Sequence, residues 1–445
     1  MTRLHPPSSR GPLGLLRRAV AAACLAWAGT GGLGMAMAQT TPPTALPPVL
    51  PPTETVTQVL SQLPQVRAAS AGLPLAQARS QRLEAGPHDW IAKAGANRRT
   101  ERQGPSFSEA EVALETGVRW PAKAAADRQL GASEIQLGEL ALADAWHEAA
   151  RGLLTAWFDA LRDVRTASIL QEQARLVTQQ MATTERRVAA GEAATLELLA
   201  AQAEAARVDA LAARAQGQLQ VRLQALERLY PGLPKPLDMG ATGSPLWSAA
   251  PPAADFTAAQ WATKILDYNH ELELAQAKAE QARLQAQRAT LERRGDPTVG
   301  VRASRERGGQ ERVLGVYVSI PLGSAGRRAD AQAALAQADM AEQELAQKRV
   351  RIEADAWRTA SELEQARHTR EQLQRAQAQI ERSAQLQARA YTLGESPLVD
   401  LLLARRNALE AQLAADSAAL DEQQSYARLL LDSHSLWAAP GAHGH

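Results

Sequence analysis

The chain has 445 residues, of which 45% are hydrophobic but only 4% aromatic, and 49 Lys+Arg nearly balance 48 Asp+Glu. A net charge of +1 argues against nucleic acid as the main partner, because phosphate binding requires a marked basic excess. With only 3 Phe and 5 Tyr, the chain is poor in the residues that fill a large compact core. The composition therefore predicts an extended, mainly α-helical protein with a small β part.

The first 38 residues have the pattern of a secretory signal peptide. Four arginines precede a short apolar stretch, and Ala36-Met37-Ala38 fits a small-residue cleavage site. A membrane-spanning anchor is the alternative, although the apolar stretch is shorter than the ~20 residues that spanning requires. The single cysteine, Cys24, lies in this segment, and lipid attachment to it is a second alternative. Cleavage would leave a chain with no thiol for a disulfide or a metal site.

An internal repeat with a period of about 200 residues organises the rest of the chain. A strand pattern that ends at Trp120-Pro121 recurs as one that ends at Ile320-Pro321. The turn Gly191-Glu192, followed by Glu197-Leu198-Leu199, recurs as Gly394-Glu395, followed by Asp400-Leu401-Leu402. We therefore predict a duplicated unit. The predicted boundaries are a Pro-rich N-terminal extension at 39–60, a first repeat at 61–230, an equatorial connector at 231–267, a second repeat at 268–432 and a C-terminal tail at 433–445.

Each predicted repeat contains a helix, a strand pair and a long antiparallel helical hairpin. In the first repeat we predict a helix at 64–84, strands at 90–97 and 112–120, and hairpin helices at 124–188 and 194–229. In the second we predict a helix at 271–294, strands at 298–305 and up to 320, and hairpin helices at 327–391 and 397–431. Gly191 and Gly394 are expected to end the long helices, since glycine readily adopts the left-handed conformation that follows a helix.

The predicted dimensions require more than one chain. A helix of about 65 residues is ~100 Å long and must pack on other helices over its whole length. The strands alternate apolar residues with polar ones (Glu111, Glu115, Arg119), as the wall of a membrane barrel does. Four strands are too few to close a barrel, because the smallest have about eight. We therefore predict an oligomer that shares one barrel and one helical tube.

At its strand–proline junctions and glycine turns the sequence resembles the TolC-type outer-membrane efflux family, also called outer membrane factors. Asp296-Pro297-Thr298-Val299-Gly300-Val301 is similar to the start of a strand in that family. The resemblance implies a homotrimer, in which each chain gives four membrane strands to a 12-stranded β-barrel in the cell outer membrane, on an α-helical tube that crosses the periplasm. It also implies passive conduction of substrates from an inner-membrane pump and a periplasmic adaptor, with outer-membrane lipid around the barrel and no catalysis, cofactor or bound metal.

The same resemblance implies roles for particular residues. Tyr391, three residues before Gly394, and Asp400, six residues after it, match residues that constrict the periplasmic opening in the family. A second aspartate of the family is replaced here by Leu403, which puts a double carboxylate ring in doubt. Packing of Tyr391 between helices, and a first-turn position for Asp400 favoured by the helix dipole, are the simpler interpretations. The implied adaptor-facing turn residues are Gly191, Glu192, Gly394 and Glu395, and the strand–helix junction residues are Trp120, Pro121, Ile320 and Pro321.

Enzyme chemistry has little support in the sequence, because no pair of the eight histidines has H-E-x-x-H or H-x-x-E-H spacing. The leading prediction is an efflux channel for a resistance-nodulation-division pump that exports metal cations or drugs. The overall pattern looks nearer the cobalt–zinc–cadmium heavy-metal branch. One alternative is a periplasmic adaptor, which has a single hairpin between lipoyl-like β modules. The other is a structural coiled-coil protein, which leaves the strand–proline repeats unexplained.

Overall fold

The structure is a computed structural model that describes residues 49–239, residue 251 and residues 256–439. The predicted signal peptide with Cys24, the Pro-rich extension up to residue 48, part of the predicted connector and residues 440–445 lie outside the described residues.

The described residues form helices and one four-stranded sheet, which confirms the prediction of a mainly helical chain with a small β part. Most helix boundaries fall within three residues of those predicted from the sequence, because apolar stripes, glycine turns and prolines mark them. In chain order the elements are α1 (Thr53–Gln62), α2 (Pro64–Ala85), β1 (Trp90–Thr100), β2 (Ser106–Gly117), α3 (Pro121–Ala189), α4 (Thr195–Leu229), α5 (Pro236–Met239), α6 (Ala258–Asp267), α7 (His270–Glu292), β3 (Thr298–Glu306), β4 (Glu311–Ser319), α8 (Ala325–Thr392) and α9 (Leu398–Asp432).

Two very long helices, α3 with 69 residues and α8 with 68, dominate the chain. At a rise of 1.5 Å per residue each is about 100 Å long. The chain reverses after each of them, so that α4 packs along α3 and α9 packs along α8. In the parts of the chain that are described, no helix combines the length and apolar character needed to cross a membrane.

The sheet has the strand order β1-β2-β3-β4, and every neighbouring pair is antiparallel. Two strand predictions need correction. The second strand begins at Ser106 and ends at Gly117, so Val118–Trp120 is not part of it. The first strand extends to Thr100 and is as regular as its neighbours. In the sequence, Ser106-Phe107-Ser108-Glu109 shows only weak alternation of apolar with polar residues. The reason is that small polar side chains occupy one face of the sheet at that end.

A compact aromatic core lies where the middle of α3 meets the end of α9. We define the aromatic core by Trp146, Trp157 and Phe158 of α3 with Trp261, Tyr426 and Trp437, all of them buried. The indole Nε1 of Trp157 donates to the carbonyl of Val49 at 2.8 Å, and that of Trp146 donates to the carbonyl of Trp437 at 2.9 Å. Six buried aromatic side chains therefore meet at one place, in a chain whose composition is poor in the residues that fill a large core.

Candidate functional site

The two long helices end in turns of the same geometry, at residues 190–194 and 393–397, which we call the helix tips. Gly191 and Gly394 both have φ of 76°. After Gly191, the amide of Glu192 donates to the carbonyl of Arg187 at 2.8 Å, and after Gly394 the amide of Glu395 donates to that of Ala390 at 2.9 Å. This 6→1 bond defines a Schellman motif, in which the positive φ favours glycine. Both predicted turn pairs therefore lie at the exposed ends of hairpins.

Tyr391 joins the two hairpins close to their tips. Its hydroxyl accepts a hydrogen bond from Nη1 of Arg187 at 2.7 Å, and the guanidinium carbon lies 5.6 Å from the ring centroid. The ring also packs against a small cluster that contains Leu398, Leu401 and Leu402. A charged donor on a phenol oxygen is a stronger bond than a neutral pair. Tyr391 is therefore a contact between the end of α3 and the end of α8.

Asp400 and Leu403 lie on a different surface from Tyr391. Both are exposed and line a groove of about 620 Å³ between α8 and α9, together with Glu410 and Asn407 of α9. Asp400 is in the first turn of α9, where the helix dipole favours a carboxylate. The structure thus brings Asp400 and Leu403 together on one groove wall and leaves Tyr391 apart from them.

Two arginines at this end of the molecule have contacts that the sequence pattern does not predict. Arg187 lies two residues before the last residue of α3. Its partner, Tyr391, is on the other hairpin, and no sequence pattern links the two residues. Arg405 follows the buried stripe of Leu398, Leu401 and Leu402 at helical spacing and is half-buried. Burial lowers the pKa of Arg405, and no hydrogen bond or ion pair to it occurs among the described residues.

The two predicted strand–helix junctions have different structures. Pro121 is the first residue of α3 and Trp120 precedes it as the cap, so helix follows directly. Ile320 and Pro321 instead lie in an irregular segment, and α8 starts after Ser324, whose hydroxyl accepts from the amide of Arg327 at 3.2 Å. The second long helix therefore begins within two residues of its predicted start at 327, at a serine cap rather than at the proline.

An ionic network holds the first junction against the start of β3. Nζ of Lys123 lies 2.9 Å from Oδ1 of Asp296 and 3.0 Å from Oε1 of Glu292, although the Lys123 side chain is only 1% exposed. Nε2 of His88 lies 2.8 Å from Oδ2 of Asp296. The indole of Trp120 donates to the carbonyl of Gly295 at 2.9 Å. These contacts place the strand start that begins at Asp296 beside the start of α3.

One face of the sheet is apolar and exposed over all four strands. Register places Ala92, Leu114, Val301 and Val316 in one row across the sheet, and Ala94, Val112, Ala303 and Leu314 in the next. Val316 is 85% exposed. The opposite face carries charged and polar residues, including Lys93, which pairs with Glu115 at 2.5 Å. A sheet with water on both sides does not keep such a face, since large exposed apolar patches mark contact with another apolar surface.

The chain is similar to known proteins in its fold. No family model matches the chain, and no curated protein matches it. Solved structures do match over most of their length. The Vibrio cholerae outer membrane protein VceC has a TM-score of 0.70 at 18% identity, over 87% of this chain and 96% of its own.

Two further solved structures give the same result. The outer-membrane channel OprN has a TM-score of 0.70 at 19% identity, over 88% of this chain and 91% of its own. The Campylobacter jejuni CmeC outer membrane channel has a TM-score of 0.69 at 14% identity, over 86% and 85%. The chain therefore has the fold of these outer-membrane channels, and the resemblance seen in the sequence is confirmed at the level of fold.

Proposed function

We propose that this chain is a subunit of an outer-membrane efflux channel. The observation that carries the proposal is the sheet, which has one exposed apolar face and two edges, β1 and β4, that pair on one side only within the described residues. Unpaired edges and an apolar face are satisfied together when a sheet closes into a lipid-facing barrel. The likeness to solved outer-membrane channels supports the same function.

Closure requires further copies of the chain. Three copies with four strands each make a 12-stranded barrel, which is within the size range of membrane barrels. A single copy has too few strands to close a barrel. We propose a homotrimer of duplicated units, placed in the cell outer membrane, with its long helices in the periplasm. Exposed apolar side chains on α4 and α8, such as Val221 and Val350, fit burial between neighbouring copies.

We further propose that the helix tips meet a periplasmic adaptor and that the channel receives substrate from an inner-membrane pump of the resistance-nodulation-division type. Passive conduction needs no catalytic group. Metal cations and drugs are the two substrate classes we propose, and the cobalt–zinc–cadmium branch is one hypothesis within them. Loss of the gene should raise sensitivity to zinc, cobalt and cadmium salts if metals are the substrates, and to drugs and dyes if they are not.

The outer-membrane proposal is tested with two arginine substitutions on opposite faces of β4. Val316→Arg places a charge on the apolar face and should prevent assembly, since arginine at the midplane of a barrel costs about 2–4 kcal/mol. Val313→Arg places the same charge on the opposite face of β4 and should be tolerated. The readout is the amount of detergent-stable trimer in the outer-membrane fraction. A soluble monomer from the unaltered chain, or equal effects of the two variants, would contradict the proposal.

A further inference from the structure

Three of the eight histidines form one cluster that the proposed channel function does not use. His147 lies on α3, His270 is the first residue of α7, and His434 follows the end of α9. The ring centroid of His434 is 4.4 Å from that of His270 and 5.3 Å from that of His147, and the remaining pair is 6.4 Å apart. More than 100 residues separate each from the next along the chain, so the fold alone brings them together.

His434 belongs to a short segment, residues 433–439, that we call the C-terminal clasp. Within it, Leu436 and Trp437 are buried in the aromatic core, and the Trp437 carbonyl accepts from the indole of Trp146 at 2.9 Å. Both His434 and Trp437 have positive φ, 57° and 49°, which non-glycine residues adopt only when surrounding contacts hold them. The clasp is therefore kept in place by its packing rather than by its own backbone preference.

The carboxylate nearest the cluster is already occupied. Asp432 accepts from Nε of Arg151 at 3.0 Å and from Nε of Arg428 at 2.7 Å, and it bonds Nε2 of His147 at 3.1 Å. Burial alone would raise the pKa of Asp432, but His147 and the two arginines hold it well below its usual range. The groups that act on His434 itself are His147, His270, Tyr268 and Asp432. The charged and titratable groups that surround the cluster and the clasp are Asp144, Glu148 and Arg151 on α3, Lys264 on α6, Glu271 and Glu273 on α7, and Arg428 on α9.

The cluster is unfavourable for added protons. Burial, followed by the neighbouring rings of His270 and His147, lowers the pKa of His434 from 6.5 to about 4. Three imidazoles at these separations repel one another when they are charged. Asp432, which bonds His147, and Glu273, which bonds His270 at 3.1 Å, are the close carboxylates. Asp432 and the backbone of Tyr268 oppose the lowering of the pKa of His434 but do not outweigh it. Among the described residues, no group of three His, Cys, Asp or Glu side chains is arranged to hold a metal ion. Protonation of His434 is therefore opposed while the clasp is docked.

We propose that the C-terminal clasp is a pH-sensitive latch, docked on the aromatic core while His434 is neutral among its two neighbouring imidazoles and detached when His434 gains a proton. The inference does not depend on the proposed channel function. Detachment breaks the hydrogen bond that the indole of Trp146 donates to the carbonyl of Trp437. It also exposes the end of α9.

The direction of the pH dependence follows from linkage. The pKa of His434 in the docked state, about 4, is lower than the 6.5 of a free histidine. Docking is therefore fully favourable above pH 6.5 and weakens as the pH falls from 6.5 through 4. Because the ring is only partly buried, we expect the docking equilibrium to weaken by roughly 10- to 100-fold over that interval.

The test uses the full-length protein in detergent, with a nitroxide at Ala439→Cys in a Cys24→Ser background. Spin-label mobility is recorded from pH 7.5 to pH 4.5 by electron paramagnetic resonance. We expect an immobilised spectrum at pH 7.5 and a growing mobile fraction below pH 6.5. His434→Asn should remain immobilised at low pH, because asparagine tolerates positive φ and stays neutral. His368→Asn, on an exposed face of α8, is the matched control and should keep the transition.

Two further variants test the latch even if the clasp docks poorly in His434→Asn. His434→Arg carries a permanent charge and should be mobile already at pH 7.5. His270→Asn removes a neighbouring ring that opposes the charge, and it should reduce the mobile fraction at low pH without loosening the clasp at pH 7.5. A wild-type spectrum that does not change with pH, or an unchanged transition in His434→Asn, would overturn the latch. Immobilisation that depends on added zinc would overturn it in favour of a metal site.

Discussion

The aromatic core belongs to a larger buried cluster that joins residues of α1, α2, α3, α4, α6, α8 and α9. At the helix tips, by contrast, four fully buried side chains, one alanine of α4 and three leucines of α9, join the hairpins. The bond from Arg187 to Tyr391 is added to that small contact. The same long helices thus pass from a region with dense apolar packing to one that depends on a few contacts. Regions with little buried apolar area open at the lowest free energy, so we expect the proposed channel to change its opening at the tips.

The largest expected effect is a loss of stability in the region with dense apolar packing. Trp157 and Trp357 occupy matching places in the two predicted repeats, but Trp157 is 0% exposed and Trp357 is 51% exposed. Trp157→Ala should lower the free energy of unfolding by about 3–5 kcal/mol, because it removes a buried indole and leaves a cavity. Trp357→Ala is the matched control, with an expected loss below about 1.5 kcal/mol. Denaturant unfolding in detergent measures both. A larger loss for Trp357→Ala would show that a neighbouring copy covers that indole.

The second effect concerns the bond between the tips. Tyr391→Phe removes the acceptor for Arg187 and keeps the ring, so it should weaken the contact by about 1 kcal/mol, which is roughly fivefold in an open–closed equilibrium. We expect higher single-channel conductance in planar bilayers with almost unchanged thermal stability. Tyr268→Phe, at a half-exposed tyrosine far along the chain, is the control. Unchanged conductance in Tyr391→Phe would limit Tyr391 to helix packing, the simpler interpretation of the sequence.

The third prediction compares a glycine whose backbone has positive φ with a glycine inside a helix. Gly394 has φ of 76°, and a Cβ built there meets nothing within 4 Å, so Gly394→Ala should cost about 1 kcal/mol through the backbone alone. Gly217 lies inside α4, also with nothing within 4 Å, and Gly217→Ala should stabilise by about 0.5–1 kcal/mol. Thermal unfolding of the two variants gives opposite shifts. A stabilised Gly394→Ala would mean that the tip does not keep the left-handed turn.

These comparisons also show which parts of the molecule could be predicted from the sequence. Helices α3 and α8 could be predicted, because an apolar stripe at helical spacing runs through each helix and a glycine follows its end. The aromatic core could not, because Trp146 and Trp437 meet across nearly 300 residues and no periodicity links them. Trp157 and Trp357 have the same neighbour in the sequence, Ala156 and Ala356, yet differ in burial. The indole of Trp157 is held by a hydrogen bond to the carbonyl of Val49, a contact that no pattern in the sequence shows.

The smallest expected effect is at Asp400, on the groove wall beside Leu403. Its carboxylate is exposed, so its field is screened within about 10 Å at 0.1 M salt. In the proposed trimer three such carboxylates approach one another. Asp400→Asn should then reduce divalent-cation block of the channel about twofold in 0.1 M salt and have no effect in 1 M salt. Glu410→Gln, on the same groove wall further from the tip, is the matched control. Equal effects of the two variants, or an effect that survives 1 M salt, would assign Asp400 to the first turn of α9 rather than to a cation-binding ring.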